Sequence, residues 1–301
     1  MSKKDAFKQA IKSITLPFLI LMKTNRKFRM GFTLIVIVVA LALISFLAPP
    51  QYIHWYSYPK SVPPKLTTNI DLILGTTANG RSVFWVFTNA IRNSLIIGVV
   101  TALIAPHVGL LIGIITGLKG GIIDRVLMFI TDTIIVIPAL PLYIIVLMVL
   151  KPYISAIGSP IPFMGLIFSI TAWCWPARQV RAIVLSLRER EFILTSSLSG
   201  NSIVRIIVKE IVPHLLAWHL INLTNTVLYA IGMETGLSIL GLSILDKDTL
   251  GTMIYWSLYY SALFRGIWWW YITPIIGIIV VFLAFFLISQ GISEYVNPRL
   301  R

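Results

Sequence analysis

Six apolar stretches, separated by polar segments, dominate the pattern of this chain. A transmembrane helix needs about 20 predominantly apolar residues, and stretches near that length recur along the sequence. Charged residues are concentrated between them, as is typical of helices that face lipid. The pattern predicts an all-α integral membrane protein with six transmembrane helices, at residues 31–48, 94–118, 126–150, 161–177, from about 214 onward, and 272–288.

The N-terminal segment carries an apolar patch at residues 14–22 that is too short to cross a bilayer. Lysines and arginines flank this patch, and Pro17 lies within it. We predict an interfacial helix that lies along the membrane. A cleaved signal peptide is the weaker alternative, because no small-residue cleavage site follows and a longer apolar run comes next. The predicted division is an N-terminal segment (1–29), a transmembrane domain (30–292) and a tail (293–301).

A charged insertion at residues 178–213 separates the fourth and fifth predicted spans. Its charges are too numerous for a lipid-facing helix, yet its apolar positions keep helical spacing. Gly200 interrupts this pattern, Asn201 or Ser202 can cap a following helix, and we expect Pro213 to end it. The insertion is therefore predicted to fold as helix, glycine turn, helix.

Two spans contain residues that indicate how they pack. Gly109, Gly113 and Gly117 recur every four residues on one face of the second span, which favours close approach of another helix. In the third span, Pro138 and Pro141 are expected to kink the helix.

Asp132 also lies in the third span. An intramembrane carboxylate costs at least about 2.5 kcal/mol, so we expect Asp132 to face protein or a pathway. We favour a structural role for it.

The fifth span carries a stripe of polar residues at a spacing of three, formed by His219, Asn222 and Asn225. Such a stripe suits interhelical hydrogen bonds or a polar translocation path. Glu234 and Ser238 follow further along the same helix, and we name all five as candidate pathway residues. His219 by itself indicates a satisfied interior histidine rather than a metal ligand, because no partner ligands lie nearby in sequence.

Composition supports this class and excludes others. Hydrophobic residues make up 57% of the 301 positions and charged residues 12%, against about 25% charged in soluble domains. The net charge of +14 is scattered between apolar spans, unlike the clustered basic face of a nucleic-acid-binding protein. The lone Cys174 excludes an internal disulfide framework. We find no nucleotide-binding, metal-binding or catalytic signature, so the chain is not expected to be an enzyme or to bind a cofactor.

Orientation follows from the distribution of basic residues. Most of the 25 lysines and arginines lie before the first span, in the turn after the second, in the charged insertion and in the tail. The positive-inside rule therefore predicts a plasma-membrane protein with both termini and the insertion in the cytoplasm.

The charged insertion resembles the cytoplasmic loop by which permease subunits of ABC importers contact their ATPases. Glu191, Thr195, Ser196, Gly200 and Pro213 match that loop by position. Further blocks at 74–95, 124–138, 234–242 and 297–301 are similar, in the same order, to the C-type member of the dipeptide, oligopeptide and nickel permease family. Thr77 and Ser82 stand where the family usually has aspartates. A salt bridge of Arg81 with this block is therefore in doubt, and a solvated or headgroup-facing cation is an equal alternative.

The resemblance implies a permease subunit that works by alternating access, with no catalysis of its own. Its implied partners are a homologous permease, two ATP-binding subunits that carry ATP and magnesium, and an extracytoplasmic solute-binding protein. The implied solutes are peptides, nickel complexes or, in an archaeal setting, oligosaccharides.

Two alternatives rest on the residues alone. A self-sufficient secondary transporter or channel would be expected to contain internal repeats, and we find none. An intramembrane enzyme would need a second carboxylate facing Asp132, whereas Glu234 is expected near the opposite surface.

Overall fold

The computed structural model describes residues 18–65, 69–154 and 160–297, and most of these residues are helical. Extended pairing within these ranges is limited to an isolated bridge between Thr76 and Ser82. We number the main helices α1 (Arg26–Ile44), α2 (Val83–Lys119), α3 (Gly121–Val136), α4 (Ala139–Ile154), α5 (Pro160–Ala172), α6 (Cys174–Arg188), α7 (Glu191–Leu198), α8 (Ile203–Ile206), α9 (Val212–Ile239), α10 (Leu250–Tyr259) and α11 (Trp268–Val296).

Four helical stretches in the described part of the chain are long and apolar enough to cross a membrane. They are Arg26–Leu47, Val83–Lys119, Ile203–Ile239 and Trp268–Val296. Two further pairs are long enough only when taken together, and both are bent: α3 and α4 meet at 88°, and α5 and α6 meet at 43°. Counting each bent pair as one span gives up to six spans. The all-α membrane class predicted from the sequence is confirmed.

Helix α2 is the centre of the fold, and it packs most closely against α6. A Cβ atom at Gly109 would lie 2.5 Å from Pro176 Cβ, and one at Gly113 would lie 2.5 Å from Val180 Cβ. The corresponding atom at Gly117 would lie 2.7 Å from Val184 Cβ. Since real Cβ atoms do not approach so closely, only glycine allows this helix separation. The predicted packing role of the glycine stripe is confirmed.

The third predicted span is broken rather than gently kinked. Helix α3 ends where Ile137, immediately before Pro138, adopts an extended conformation with φ −71° and ψ 124°. Proline disfavours a helical conformation in the residue before it and cannot donate a backbone hydrogen bond. The expected disruption is therefore confirmed, and its size, 88° between α3 and α4, exceeds an ordinary kink.

The prediction that Pro213 ends a helix is wrong. The chain stays helical from Ile203 to Ile239, passing through a π-helical segment at Ile207–Ile211 immediately before α9. Pro213 stands in the first turn of α9. There its missing N–H is tolerated, because the wider π turn changes the hydrogen-bond partners just upstream.

The first part of the charged insertion is the end of α6, which continues to Arg188. Arg178 and Arg181 therefore lie on a helix that begins within the fourth predicted span. Helix α2 begins at Val83 rather than near residue 94. Its polar residues in the first turns, including Asn89 and Asn93, are buried within the protein instead of facing lipid.

The described part of the N-terminal segment is tied to the last helix. Residues 18–24 are helical, and Asn25 caps α1 by accepting a hydrogen bond from Phe28 N at 2.9 Å. Asn25 Nδ2 also donates to Glu294 Oε2 at 2.8 Å, and Lys27 Nζ lies 2.5 Å from Glu294 Oε1. Of the predicted interfacial helix at residues 14–22, residues 18–22 belong to this helical stretch, whereas residues 14–17 lie outside the described residues, as do residues 298–301 of the predicted tail.

Replacing Gly113 tests the α2–α6 contact. Gly113→Ala places a Cβ atom 2.7 Å from the Ala177 carbonyl oxygen, and we expect it to lower the free energy of unfolding by about 1–3 kcal/mol. Gly232→Ala is the matched control, because its Cβ atom meets nothing closer than Phe282 Cζ at 3.7 Å. Thermal unfolding of the purified protein in detergent gives the comparison. Equal midpoints for the two variants would contradict the role assigned to the stripe.

Candidate functional site

A cavity of about 410 Å³ lies where both bent helix pairs change direction, beside the middle of α9. We call it the central cavity. It is bounded by the end of α3, the start of α4, the junction of α5 with α6, and one face of α9. Its lining residues are Ile134, Ile135, Ile137, Pro138, Ala139, Thr171, Ala172, Trp175, Pro176, Asn222, Asn225, Thr226, Tyr229 and Met233.

The central cavity is polar on the α9 side and apolar on the α3 side. Asn225 is exposed and Asn222 is half-buried. Asn222 Nδ2 donates to Gln179 Oε1 at 3.4 Å, and the Thr226 hydroxyl donates to the Asn222 carbonyl at 2.8 Å. Each side-chain amide both donates and accepts hydrogen bonds. This wall can therefore bind a polar, neutral group through several modest hydrogen bonds.

A buried hydroxyl cluster supports the wall from behind. The Tyr143 hydroxyl donates to the Phe168 carbonyl at 3.0 Å. It also hydrogen-bonds the Thr171 hydroxyl and lies 3.0 Å from the Tyr229 hydroxyl. These residues belong to α4, α5 and α9, so one phenol connects three helices beside the two bends. Thr171 and Tyr229 thereby hold fixed positions at the cavity surface.

His219 does not share the cavity with Asn222 and Asn225. It is buried between α9 and α2, where its ring packs edge-on against His107 at 4.6 Å between centroids. Residues spaced by three on an α-helix rotate backward by roughly 60° per step. His219 and Asn225 therefore point about 120° apart, which explains why the stripe divides between the helix interface and the cavity. The predicted pathway role of His219 stays a prediction.

Glu234 and Ser238 lie on the far side of α9, inside the protein. Both are completely buried. Glu234 Oε1 accepts hydrogen bonds from the Ser238 hydroxyl at 2.5 Å and the Thr249 hydroxyl at 2.6 Å. Thr249 in turn caps α10 through a reciprocal capping box with Thr252. In this conformation the Glu234 carboxyl group anchors the connection between α9 and α10.

Two acidic residues of α3 are paired with arginines of α6. Asp124 accepts from Arg181 Nε at 2.5 Å and from Arg181 Nη2 at 2.6 Å. Asp132 lies 3.2 Å from Arg178 Nη1, and both of these side chains are about half exposed. Asp132 therefore faces protein, as expected, and its partner belongs to the charged insertion.

The Gly200 turn projects from the opposite side of the fold to the Arg81 end of α2. Gly200 has φ +77°, in the left-handed region, and an added Cβ atom would meet nothing within 4 Å. The turn is closed by hydrogen bonds from Gly200 N to the Ser197 carbonyl and from Asn201 N to the Ser196 carbonyl. Ser202 then caps α8 through Arg205 N at 3.3 Å. Of the two caps predicted, the structure uses Ser202.

The residues matched to the coupling loop divide into an internal and an exposed group. Ser196 is buried, where its hydroxyl contacts the Glu210 carboxylate and accepts from Asn201 Nδ2 at 3.0 Å. This contact holds α7 against the π-helical segment. The exposed members are Glu191, Thr195, Gly200 and Pro213.

Exposed apolar side chains surround the Gly200 turn. Leu198, which precedes the turn, is 89% exposed. Ile203 and Val204, which follow it, are 54% and 65% exposed. We call Leu198, Ile203 and Val204 the turn patch. Clustered apolar groups on a projecting turn are typical of a protein contact.

Arg81 is not a solvated cation, which decides between the two alternatives left open for it. Its guanidinium donates to both Asp248 carboxylate oxygens, at 2.9 and 2.7 Å, and its Nε donates to the Tyr52 carbonyl at 3.1 Å. The partner comes from the connection between α9 and α10, 167 positions along the chain. No local spacing could have indicated it.

The sequence analysis also missed several residues of the central cavity. Thr171 and Trp175 flank the bend between α5 and α6, within the fourth predicted span. The TAWCWP sequence, which ends in Pro176, was the available signal for a break there. Within the described residues, no group of three or more His, Cys, Asp or Glu side chains is arranged to hold a metal ion.

Comparison with known proteins matches residues 109–301 to the family of binding-protein-dependent transport system inner membrane components. The dipeptide transport system permease protein DppC of Bacillus subtilis (strain 168) is 30% identical over 290 residues, covering 93% of this chain and 84% of that protein. The oligopeptide transport system permease protein OppC of the same organism is 30% identical over 313 residues, covering 99% and 94%. OppC of Mycobacterium tuberculosis (strain ATCC 25618 / H37Rv) is 31% identical over 258 residues, covering 85% and 80%.

These matches confirm the resemblance drawn from the sequence motifs, and they extend over nearly the whole chain. They agree with a fold of several apolar helices in which a cavity with a polar wall lies at the helix bends. The chain therefore belongs to the binding-protein-dependent transport system inner membrane components.

Proposed function

We propose that this chain is one of two permease subunits of an ATP-driven importer for peptide-class solutes. The observation that carries the proposal is the central cavity, an opening at the helix bends with side-chain amides on one wall. A second, homologous permease facing it would complete the path. The relatives named as dipeptide and oligopeptide permeases support peptides as the solute class.

The chemistry of the central cavity suits passage rather than tight binding. Charged side chains are absent from its lining within the described residues, while amides, hydroxyls and aromatic rings are present. A typical neutral hydrogen bond contributes only about 0.5–1.5 kcal/mol net. A peptide backbone, which offers N–H and C=O groups at every residue, can exchange such bonds one at a time as it moves.

The turn patch is the proposed contact with an ATP-binding subunit on the cytoplasmic side. ATP and magnesium would be held by that partner. The helical stretch Ile203–Ile239 connects the two sites directly, since it begins at the turn patch and carries Asn222 and Asn225. Ile203 and Asn222 are separated along this helical stretch by about 28 Å, at a rise of about 1.5 Å per residue. A displacement of the turn would therefore move the polar wall of the central cavity.

The aromatic surface at the Arg81 end is the proposed contact with the extracytoplasmic solute-binding protein. Tyr56 is 62% exposed, Tyr259 65% and Trp55 43%. Large amphipathic rings are enriched in protein interfaces. In the orientation that puts this surface outside the cell, both termini are cytoplasmic. That orientation rests on the distribution of basic residues.

Removing one side chain from the turn patch tests the coupling role. Leu198→Ser leaves the fold intact because Leu198 is 89% exposed. We expect it to weaken ATPase association by about tenfold or more, since burying a leucine is worth about 1.5–3 kcal/mol. Copurification of the ATP-binding subunits and solute-stimulated ATP hydrolysis provide the measurements. Phe264→Ser is the matched control, at 90% exposure near the opposite end. If both variants behave like the wild type, the turn patch is not the ATPase contact.

Cysteine accessibility tests the pathway. In a Cys174→Ala background, Asn222→Cys and Asn225→Cys should react with a water-soluble thiol reagent, and their rates should differ between ATP-bound and nucleotide-free transporter. Ala230→Cys, at a completely buried position of the same helix, should remain unreactive. Ser238→Cys tests the predicted pathway role of Ser238. Because Ser238 is buried in this conformation, that role requires the cysteine to become reactive in one of the two states. Rates at residues 222 and 225 that are as low as at residue 230 in both states would place them in a dry interface.

A further inference from the structure

A second cavity, of about 630 Å³, lies at the Arg81 end of α2, and we call it the Arg92 cavity. Its volume falls within the range of about 300–1,000 Å³ that is typical of small-molecule sites. It is bounded by the segment before α2, the first turns of α2, and the connection between α9 and α10. The lining residues that define its chemistry are Tyr52, Arg81, Arg92, Asn93, Lys247 and Asp248.

One side of the Arg92 cavity is a rigid, neutralised wall. Arg81 and Asp248 form a bidentate ion pair. The Arg81 side chain is only 12% exposed and that of Asp248 only 15% exposed. Asn93 Nδ2 donates to the Asp248 carbonyl at 2.7 Å, which fixes this loop to α2. Burial and the neighbouring Asp248 charge raise the pKa of Tyr52, so its hydroxyl remains a hydrogen-bond donor at physiological pH.

Arg92 differs from Arg81 because no carboxylate of the described residues pairs with it. Its Nε lies 3.4 Å from Asn93 Oδ1, and its guanidinium lies 5.0 Å above the centre of the Phe46 ring. These contacts orient the side chain and leave its charge uncompensated within the described chain. Lys247 and Asp246 also line the cavity, with Lys247 Nζ 3.9 Å from Asp246 Oδ2, and the Asp246 side chain is 72% exposed. The lining groups therefore leave a net positive charge centred on Arg92.

The guanidinium also lies between two spaces. Arg92 and Lys247 line an adjoining cavity of about 360 Å³, together with Phe46, Pro160 and Ile161. Both cations can therefore be reached from the Arg92 cavity and from this neighbouring apolar space.

Aromatic rings of Trp55, Trp256 and Trp270 form much of the remaining wall of the Arg92 cavity. Such a wall suits amino-acid side chains more than highly hydrated solutes.

We propose that the Arg92 cavity binds the terminal carboxylate of a peptide-class solute, with the Arg92 guanidinium as its principal donor and the Lys247 ammonium as a second. The inference rests on the proposed function and deepens it by assigning a charge preference to this subunit. A guanidinium matches a carboxylate with two parallel N–H donors. Because the cavity is open to solvent, the interaction is screened and releases the solute readily.

Uptake of matched peptides tests the proposal. The complete transporter, reconstituted in liposomes with its binding protein, is given one peptide with a free carboxyl terminus and the same peptide amidated. We expect Arg92→Gln to lower the ratio of free-acid to amide uptake by about tenfold, the size of one charge-assisted hydrogen bond. Arg92→Lys, which keeps the charge, should retain part of the ratio. Selectivity of the binding protein contributes equally to the uptake ratios of variant and wild type, because only the permease changes, and it therefore cancels when the two ratios are compared.

Arg265→Gln is the control, because Arg265 is an exposed cation at the same end that lines neither cavity. Its ratio should equal that of the wild type. An unchanged ratio in Arg92→Gln would overturn the proposal, as would equal losses of both peptides, which would indicate a docking role. If Arg92→Gln fails to assemble, Lys247→Gln should shift the ratio in the same direction. An unchanged ratio in Lys247→Gln would also overturn the proposal. A wild-type complex that imports neither peptide would instead refute the proposed function itself.

Discussion

The close contact between α2 and α6 is the constraint on which the rest of the structure depends. Glycines at three successive turns of α2 remove the side chains that would otherwise hold the helices apart. Lipid offers little hydrophobic drive for helices to associate, so close backbone packing has to supply much of the stability. The same contact sets the position of α6, whose arginines neutralise Asp124 and Asp132 on α3. The bend between α5 and α6 is thereby placed next to α9, where the central cavity forms.

A second consequence concerns how distant sites communicate. The turn patch and the central cavity belong to one helical stretch, which runs through Pro213 without a break. A π-helical segment accommodates the proline and makes this continuity possible. An uninterrupted helix transmits a displacement along its axis, whereas the predicted helix end at Pro213 would have left a flexible joint. The coupling proposed between ATPase contact and pathway thus has a mechanical basis in local backbone geometry.

Several ion pairs in this protein join residues that are far apart in the sequence. Arg81 with Asp248, Arg181 with Asp124, and Lys27 with Glu294 each join segments that are remote in the chain. Isolated charges near or within a bilayer are costly, so each pairing favours one arrangement of the helices. Against this background Arg92 is distinctive, because it faces a cavity without a carboxylate partner in the described chain. That contrast is the reason for assigning it to a solute.

The amino-acid sequence by itself determined the class, the approximate spans, the glycine contact, the disruption at Pro138 and the Gly200 turn. Each depends on local composition or on residues a few positions apart, where helical periodicity and backbone preferences act directly. The family resemblance followed from short motifs for the same reason. Only the tertiary structure decided that Arg81 pairs with Asp248, that Glu234 is buried while Asn225 faces a cavity, and that α3 and α4 meet at nearly a right angle. These features depend on which helix faces which, and packing between distant segments determines that choice.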